Sequence, residues 1–362
     1  MRNLFLLCAL TVALPCLAEN PAEGTAARPY ALASPAVSAA LTKTIGTPDA
    51  LAVIKSARNA LLQPPHPLPH IHVEGTLPHQ GIYDQSRVAL KDIDIMLDLA
   101  LAWRVTKEPS FLQALTVYFK AWLETYQPDF NPIDETHFDQ FILAYDLAGA
   151  DLPLETQAKM KAFLATVADA YLTPRPNDRG SNVNNWQSHR VKLGTLAAFA
   201  LGNPARIERA HQAFLQQITV NLQPDGSVLD FHERDALHYV TYDLEPLTMT
   251  VLAAKAHGLD WFHAATPQGA SLSGSLDWLA PFATGEKSHV EFVHSTVGFD
   301  AARAKAGVPG FTGNWEPENA AGLFTLAAQL DPKYQPVANK LAHAGNGSHV
   351  PHWMRLLIDA GF

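Results

Sequence analysis

Apolar and polar positions along the chain fall into a succession of helical periods, each closed by Pro, Gly or Asn. Thr47-Pro48-Asp49 opens the first, residues 47–63, with proline early in the helix where its missing donor is harmless. A Pro- and His-rich stretch, 64–79, interrupts the pattern. Periodicity returns over 84–105, where Val88, Ile95, Leu99 and Ala102 share a face. The same reading predicts helices over 110–126, 135–148, 154–172, 185–200, 204–222, 244–257, 271–283 and 318–329. Only 227–231 and 289–299 alternate in the manner of strands. The absence of a βαβ rhythm argues against a doubly wound sheet, and no fixed period marks a regular solenoid. The expected fold is all-α, an incomplete α/α toroid of antiparallel helix pairs with short extended segments.

The composition, 48% hydrophobic and 17% charged, suits a large buried core. No disulfide is expected to help, because both cysteines, Cys8 and Cys16, fall in an N-terminal leader. Arg2, the apolar run from Leu4 to Leu14 and the small-x-small site Cys16-Leu17-Ala18 read as an export signal over 1–18. That run is too short to span a bilayer, so no membrane association is expected once the leader is removed. The expected layout is leader 1–18, lead-in 19–46 and one toroidal domain 47–362, in the periplasm or secreted. A net charge of −9, one unit more negative without Arg2, argues against a nucleic-acid partner. It leaves room for an anionic sugar in a locally basic cleft. Sixteen histidines widen the choice of proton-transfer groups near neutral pH.

Two polar clusters carry candidate chemistry. The first runs from Arg179 through Asn184, Asn185, Trp186 and His189 to Arg190, immediately ahead of an apolar helix. Asn185 and His189, four apart, present an amide and an imidazole together at a helix N-terminus, where an anion is favoured. An ordinary N-cap and a packing histidine would explain the same residues. The second cluster, 231–247, holds His232, Arg234, His238, Tyr239 and Tyr242. Its bland alternative is a hydrogen-bonded loop with anchoring tyrosines. Asn131-Pro132-Ile133, His137 and His294 form weaker candidates, and His70-x-His72 lacks the further ligands of a metal site.

At these clusters the chain resembles the alginate lyase superfamily of polysaccharide lyases. Asp235-Ala236-Leu237-His238-Tyr239-Val240-Thr241-Tyr242-Asp243-Leu244-Glu245-Pro246-Leu247 is similar to the segment that carries the catalytic tyrosine in the toroidal alginate lyases of family five. Tyr239 falls on that position. The first motif departs: Trp186 stands where that family has histidine, the nearest imidazole being His189. His232 stands where it has an arginine seven residues before the tyrosine, with Arg234 two residues on. These shifts look closer to the glucuronan- and alginate-cleaving lyases of family thirty-eight.

The resemblance implies cleavage of an acidic polyuronide, alginate or glucuronan, by β-elimination without a metal or other cofactor. The C5 proton beside a charged carboxylate is a poor acid, so donors must first neutralise that carboxylate. Asn185, His189 and Arg234 are of the right kind, and Tyr239 is the expected proton-transfer group. Where proton and leaving group lie on opposite sugar faces, His189 would serve as base. Asn184, Trp186, Arg190, His238, Tyr242 and His294 are expected to contact the polymer. Two other readings compete. A glycoside hydrolase would use two carboxylates among Asp225, Asp230, Glu233 and Asp235. A non-catalytic periplasmic sugar-binding protein would bind without turnover.

Overall fold

The computed structural model describes residues 28–176, 180–342 and 349–362. The expected leader, with Cys8 and Cys16, and Arg179 of the first cluster lie outside the described residues. In chain order the α-helices are α1 (Pro35–Ala40), α2 (Pro48–Ala60), α3 (Tyr83–Thr106), α4 (Pro109–Thr125) and α5 (Phe138–Ala148). Next come α6 (Leu154–Tyr171), α7 (Asn185–Leu201), α8 (Pro204–Val220), α9 (Leu229–Arg234) and α10 (Leu237–Ala256). The chain closes with α11 (Leu272–Ala283), α12 (Gly298–Lys305), α13 (Ala321–Leu330), α14 (Gln335–Ala342) and α15 (His352–Asp359).

An inner row forms where α3 packs on α5, α5 on α7, α7 on α10 and α10 on α13. Outer helices α2, α4, α6, α8, α11 and α14 back this row. The result is an α/α toroid, and α15 folds back onto α2 and α3. Inner helices are buried nearly all round: every residue of α7 from Gln187 to Ala200 is buried. Outer helices bury one stripe, as α8 does with Ala210, Phe214, Gln217 and Ile218.

Local chemistry sets the ends of the two helices that matter most. Asn184 caps α7, its side chain accepting from the Trp186 N–H at 3.2 Å. Gly202 ends it in the left-handed region (φ +61°), where a Cβ would also sit 2.7 Å from Pro29 Cγ. At α10 the carboxylate of Glu291 accepts from the backbone N–H of Leu237 (2.8 Å) and His238 (3.1 Å).

Helices α1, α14 and α15 were not anticipated from sequence, and α13 starts at Ala321 rather than 318; three further departures bear on the site. Helix α10 begins at Leu237 and runs through Pro246 rather than starting at 244. Proline removes one ladder bond and frees the Tyr242 carbonyl, a loss that packing against α7, α11 and α13 outweighs. The alternating stretches 227–231 and 289–299 shrink to isolated bridges, Leu222 with Val228 and Val290 with Asn314. Each then leads into a helix, α9 and α12. Helix α5 starts at Phe138, and the preceding turn holds the 64–79 segment: Asp134 accepts from the N–H of Val73 and of Glu74, both at 2.7 Å.

Candidate active site

Two cavities adjoin along the inner face. One, of about 420 Å³, is lined by His238, Tyr242, Glu245, Glu291, Trp315 and Glu316 among others. The other, of about 350 Å³, is lined by Arg87, His137, His189, Lys192, Tyr242 and Trp353 among others. Tyr242 and Glu245 line both, so the two are halves of one cleft with Tyr242 at its waist.

His189 stands on one side of that waist, its ring centroid 4.3 Å from that of Tyr242. Burial holds its pKa well below the ordinary value, and the charge of Lys192 adds to this, so the imidazole is neutral. Its neighbours decide where the single ring proton sits. Lys192 Nζ, which can only donate, gives hydrogen bonds to Asp139 Oδ2 (2.6 Å) and to Thr136 O and Oγ1 (3.0 Å each). The Thr136 hydroxyl is then free to donate to His189 Nδ1 at 2.7 Å. With that hydroxyl as donor the ring proton sits on Nε2, a buried atom without a hydrogen-bond partner among the described residues. The Tyr242 backbone faces the ring and acts against the lowering of its pKa.

Tyr239 stands on the other side, its ring centroid 6.2 Å from that of Tyr242. It lines neither cavity and is only 7% exposed, packed among Ala236, Phe292 and Phe311. Two guanidiniums meet it. Arg303 Nη1 donates to its hydroxyl at 2.8 Å, and Arg234 lies over the ring face with Cζ 3.9 Å from the centroid. Burial raises the phenol pKa above the ordinary value, while Arg234 and Arg303 pull it back down. Asp300 ties the two arginines together, accepting from Arg234 Nη1 at 2.5 Å and lying 3.7 Å from Arg303 Nη1.

The two polar clusters meet beneath the cleft. Asn185 gives both its backbone N–H (2.7 Å) and its amide (2.6 Å) to Asp230, which also faces Arg234 Nε at 3.7 Å. A chain of contacts therefore runs from Asn185 through Asp230, Arg234, Asp300 and Arg303 to the Tyr239 hydroxyl. Behind it, Asp243 accepts from Ser188 Oγ (2.5 Å) and Asn221 Nδ2 (2.6 Å), which fastens α7 to α10.

The other expected positions are scattered. His238 lines the cleft, and burial, with the charges of Arg303 and Arg234, lowers its pKa to about 4. Arg190 braces the turn before α7 by donating to Ser181 O at 2.5 Å and lies over Trp186. Asn184 is spent as a cap. His294 is exposed on a surface loop, its N–H on Asp235. None of Trp186, Arg190 and His294 lines either cavity. His232, on the family arginine's position, bonds to Ser227 Oγ at 2.8 Å instead. Arg303, Asp300, Thr136 and Lys192 were not anticipated from sequence. Among the described residues, no group of three or more His, Cys, Asp or Glu is placed to hold a metal.

The sequence model of the alginate lyase family matches residues 21–289. The chain belongs to the alginate lyase family. Solved structures agree on the fold. A crystal structure of an alginate lyase from Bacteroides ovatus is 16% identical and superposes with a TM-score of 0.65, over 86% of this chain and 95% of that one. Alginate lyase A1-III from Sphingomonas species A1 is also 16% identical, with a TM-score of 0.50 over 69% of this chain and 79% of that one. A variant of A1-III complexed with a tetrasaccharide is 17% identical, with a TM-score of 0.54 over 71% and 79%. No curated protein sequence matches the chain. Family and fold together support a polysaccharide lyase. The family match ends before α12, so Arg303 lies outside it.

Proposed function

We propose that this family member cleaves a polyuronide by β-elimination, with Tyr239 moving the protons and His189 neutralising the uronate carboxylate. The observation that carries the reading is Tyr239 held between Arg234 and Arg303, because a phenol works as a base only where nearby positive charge favours its phenolate. His189 enters as a neutral donor, since its ring proton sits on Nε2 and protonation is disfavoured. Such a donor grips the carboxylate harder as it becomes enolate-like. The tyrosine phenolate takes the C5 proton, the C4–O4 bond breaks as the C4–C5 double bond forms, and the phenol returns its proton to O4. Asn185 and Arg234 frame the site, since Asn185 is held by Asp230 and Arg234 Nη1 by Asp300.

A single tyrosine serving both steps requires H5 and O4 on one sugar face. That favours polymannuronate or glucuronan over polyguluronate. Arg87, an exposed cation on the cleft wall, supplies charge for a polymer carboxylate. The expected leader places the enzyme outside the cytoplasm. A hydrolytic reading has less support, because Asp230 and Asp225 are committed to Asn185 and Ser227. The test is to incubate the purified protein with polymannuronate, glucuronan, polyguluronate and a neutral glucan, following near-ultraviolet absorbance and reducing ends together. Elimination raises both on the first two polymers, whereas reducing ends without absorbance would refute the reading.

A further inference from the structure

The phenol of Tyr239 sits where burial opposes its ionisation, yet the reaction proposed above needs its phenolate. Two cations reach it, and their geometry separates their roles. Arg234 lies flat over the ring, with Nη1 committed to Asp300 at 2.5 Å and Nε turned toward Asp230 at 3.7 Å. Its contact with the tyrosine is therefore with the π face. Arg303 differs: its closest polar contact is the phenol oxygen itself, at 2.8 Å, against 3.7 Å to Asp300. The Phe299 and Phe311 rings, 4.5 and 5.0 Å from its Cζ, flank the guanidinium and restrict water around it.

We propose that Arg303, on α12 and beyond the span matched by the family, activates Tyr239 by donating to the phenol oxygen and stabilising the phenolate. This rests on Tyr239 being the proton-transfer group. Arg303 is a positioning residue: it moves no proton, and the proton taken from C5 leaves on O4. The fold delivers it by lacing the loop before α12 onto the α9–α10 junction. Phe292 N–H donates to Asp235 O (2.8 Å) and Thr296 N–H to Glu233 O (2.9 Å), while Ser295 Oγ ties the loop to α12 by donating to Asp300 (2.7 Å). This supplies a guanidinium from a different element, while His232 is turned to Ser227.

The charged and titratable groups facing Tyr239 are Arg234 and Asp230 of α9, His238 and Tyr242 of α10, and Asp300 and Arg303 of α12. Glu74, from the 64–79 segment, interacts with Arg303. Removing Arg303 takes away the one cation among the described residues that is bonded to the oxygen, so Tyr239 ionises at higher pH.

The test compares the parent with Arg303→Gln and Arg303→Lys through the pH dependence of kcat/KM on polymannuronate and glucuronan. It also compares ultraviolet titration of the phenolate in each protein with that of its Tyr239→Phe counterpart. An opposite charge this close is worth roughly one to three pH units. Arg303→Gln should therefore move both the kinetic rise and the Tyr239 titration alkaline by at least about one unit. Its deficit should shrink as pH rises, and lysine should restore part of the shift. A purely structural Arg303 would lower the melting temperature and scale activity equally at every pH, which overturns the proposal. Unshifted titration in a folded Arg303→Gln protein overturns it too, while an inactive Tyr239→Phe leaves the tyrosine assignment standing. Should Tyr239→Phe stay fully active, the underlying reading falls whatever Arg303→Gln does.

Discussion

Asn185 and Asp230 are bonded twice, backbone N–H to Oδ2 at 2.7 Å and side-chain amide to Oδ1 at 2.6 Å, both groups buried. This pair pins the first turn of α7 to α9 and, through Arg234, to the tyrosine. Asp230→Ala strips two buried donors of their acceptor and leaves Arg234 with one carboxylate fewer. Denaturant unfolding should show a loss of about 2–4 kcal/mol, with Asp230→Asn intermediate. Unchanged stability in the alanine protein would mean the pair does not hold the frame.

His238 gives a pH-dependent prediction. Its folded pKa, about 4, lies below the unfolded value near 6.5, so the unfolded chain binds the extra proton as pH falls between the two. Stability from this histidine is complete above about pH 6.5 and drains away toward pH 4, by up to about 3 kcal/mol, less in so far as the ring is open to the cleft. Comparing parent with His238→Gln, the parent's advantage should shrink across that interval. A constant difference would show that the ring is not held neutral.

For His189, donor and base make opposite forecasts. As a neutral Nε2–H donor it should be replaced in part by glutamine, whereas alanine should cost about 10²–10³ in turnover. The acid limb of the pH profile should be the same in parent and glutamine variant. If glutamine were as damaging as alanine and removed a titration from the parent's profile, His189 would be acting as base.

Much of the architecture was legible because helical periodicity and Pro, Gly and Asn boundaries report local chemistry. Pro246 hid the start of α10, since a local rule ends helices there and only packing against α7, α11 and α13 overrides it. The two polar clusters and their link to the family motif could also be read, because each is contiguous in sequence. Arg303 could not be: it sits in an unremarkable alanine-rich helix, and 64 residues separate it from the tyrosine it bonds. The state of His189 was likewise hidden, because it depends on Thr136 and Lys192 meeting in space. The contacts of Asn185 and Arg234 were hidden as well, because Asp230 and Asp300 reach them from distant parts of the chain.

Tyr242, rather than Tyr239, lines both halves of the cleft, and burial raises the pKa of its phenol, to which no guanidinium among the described residues is bonded. The central claim therefore comes down to one comparison: initial rates of near-ultraviolet absorbance on polymannuronate and glucuronan for the parent, Tyr239→Phe and Tyr242→Phe, each checked for folding. Phenylalanine keeps the ring and removes only the hydroxyl. Tyr239→Phe should lose at least about 10²–10⁴ in turnover, and Tyr242→Phe should retain most of the parental rate. A Tyr239→Phe protein as fast as the parent, beside an inactive Tyr242→Phe, would contradict the account and move the chemistry to Tyr242.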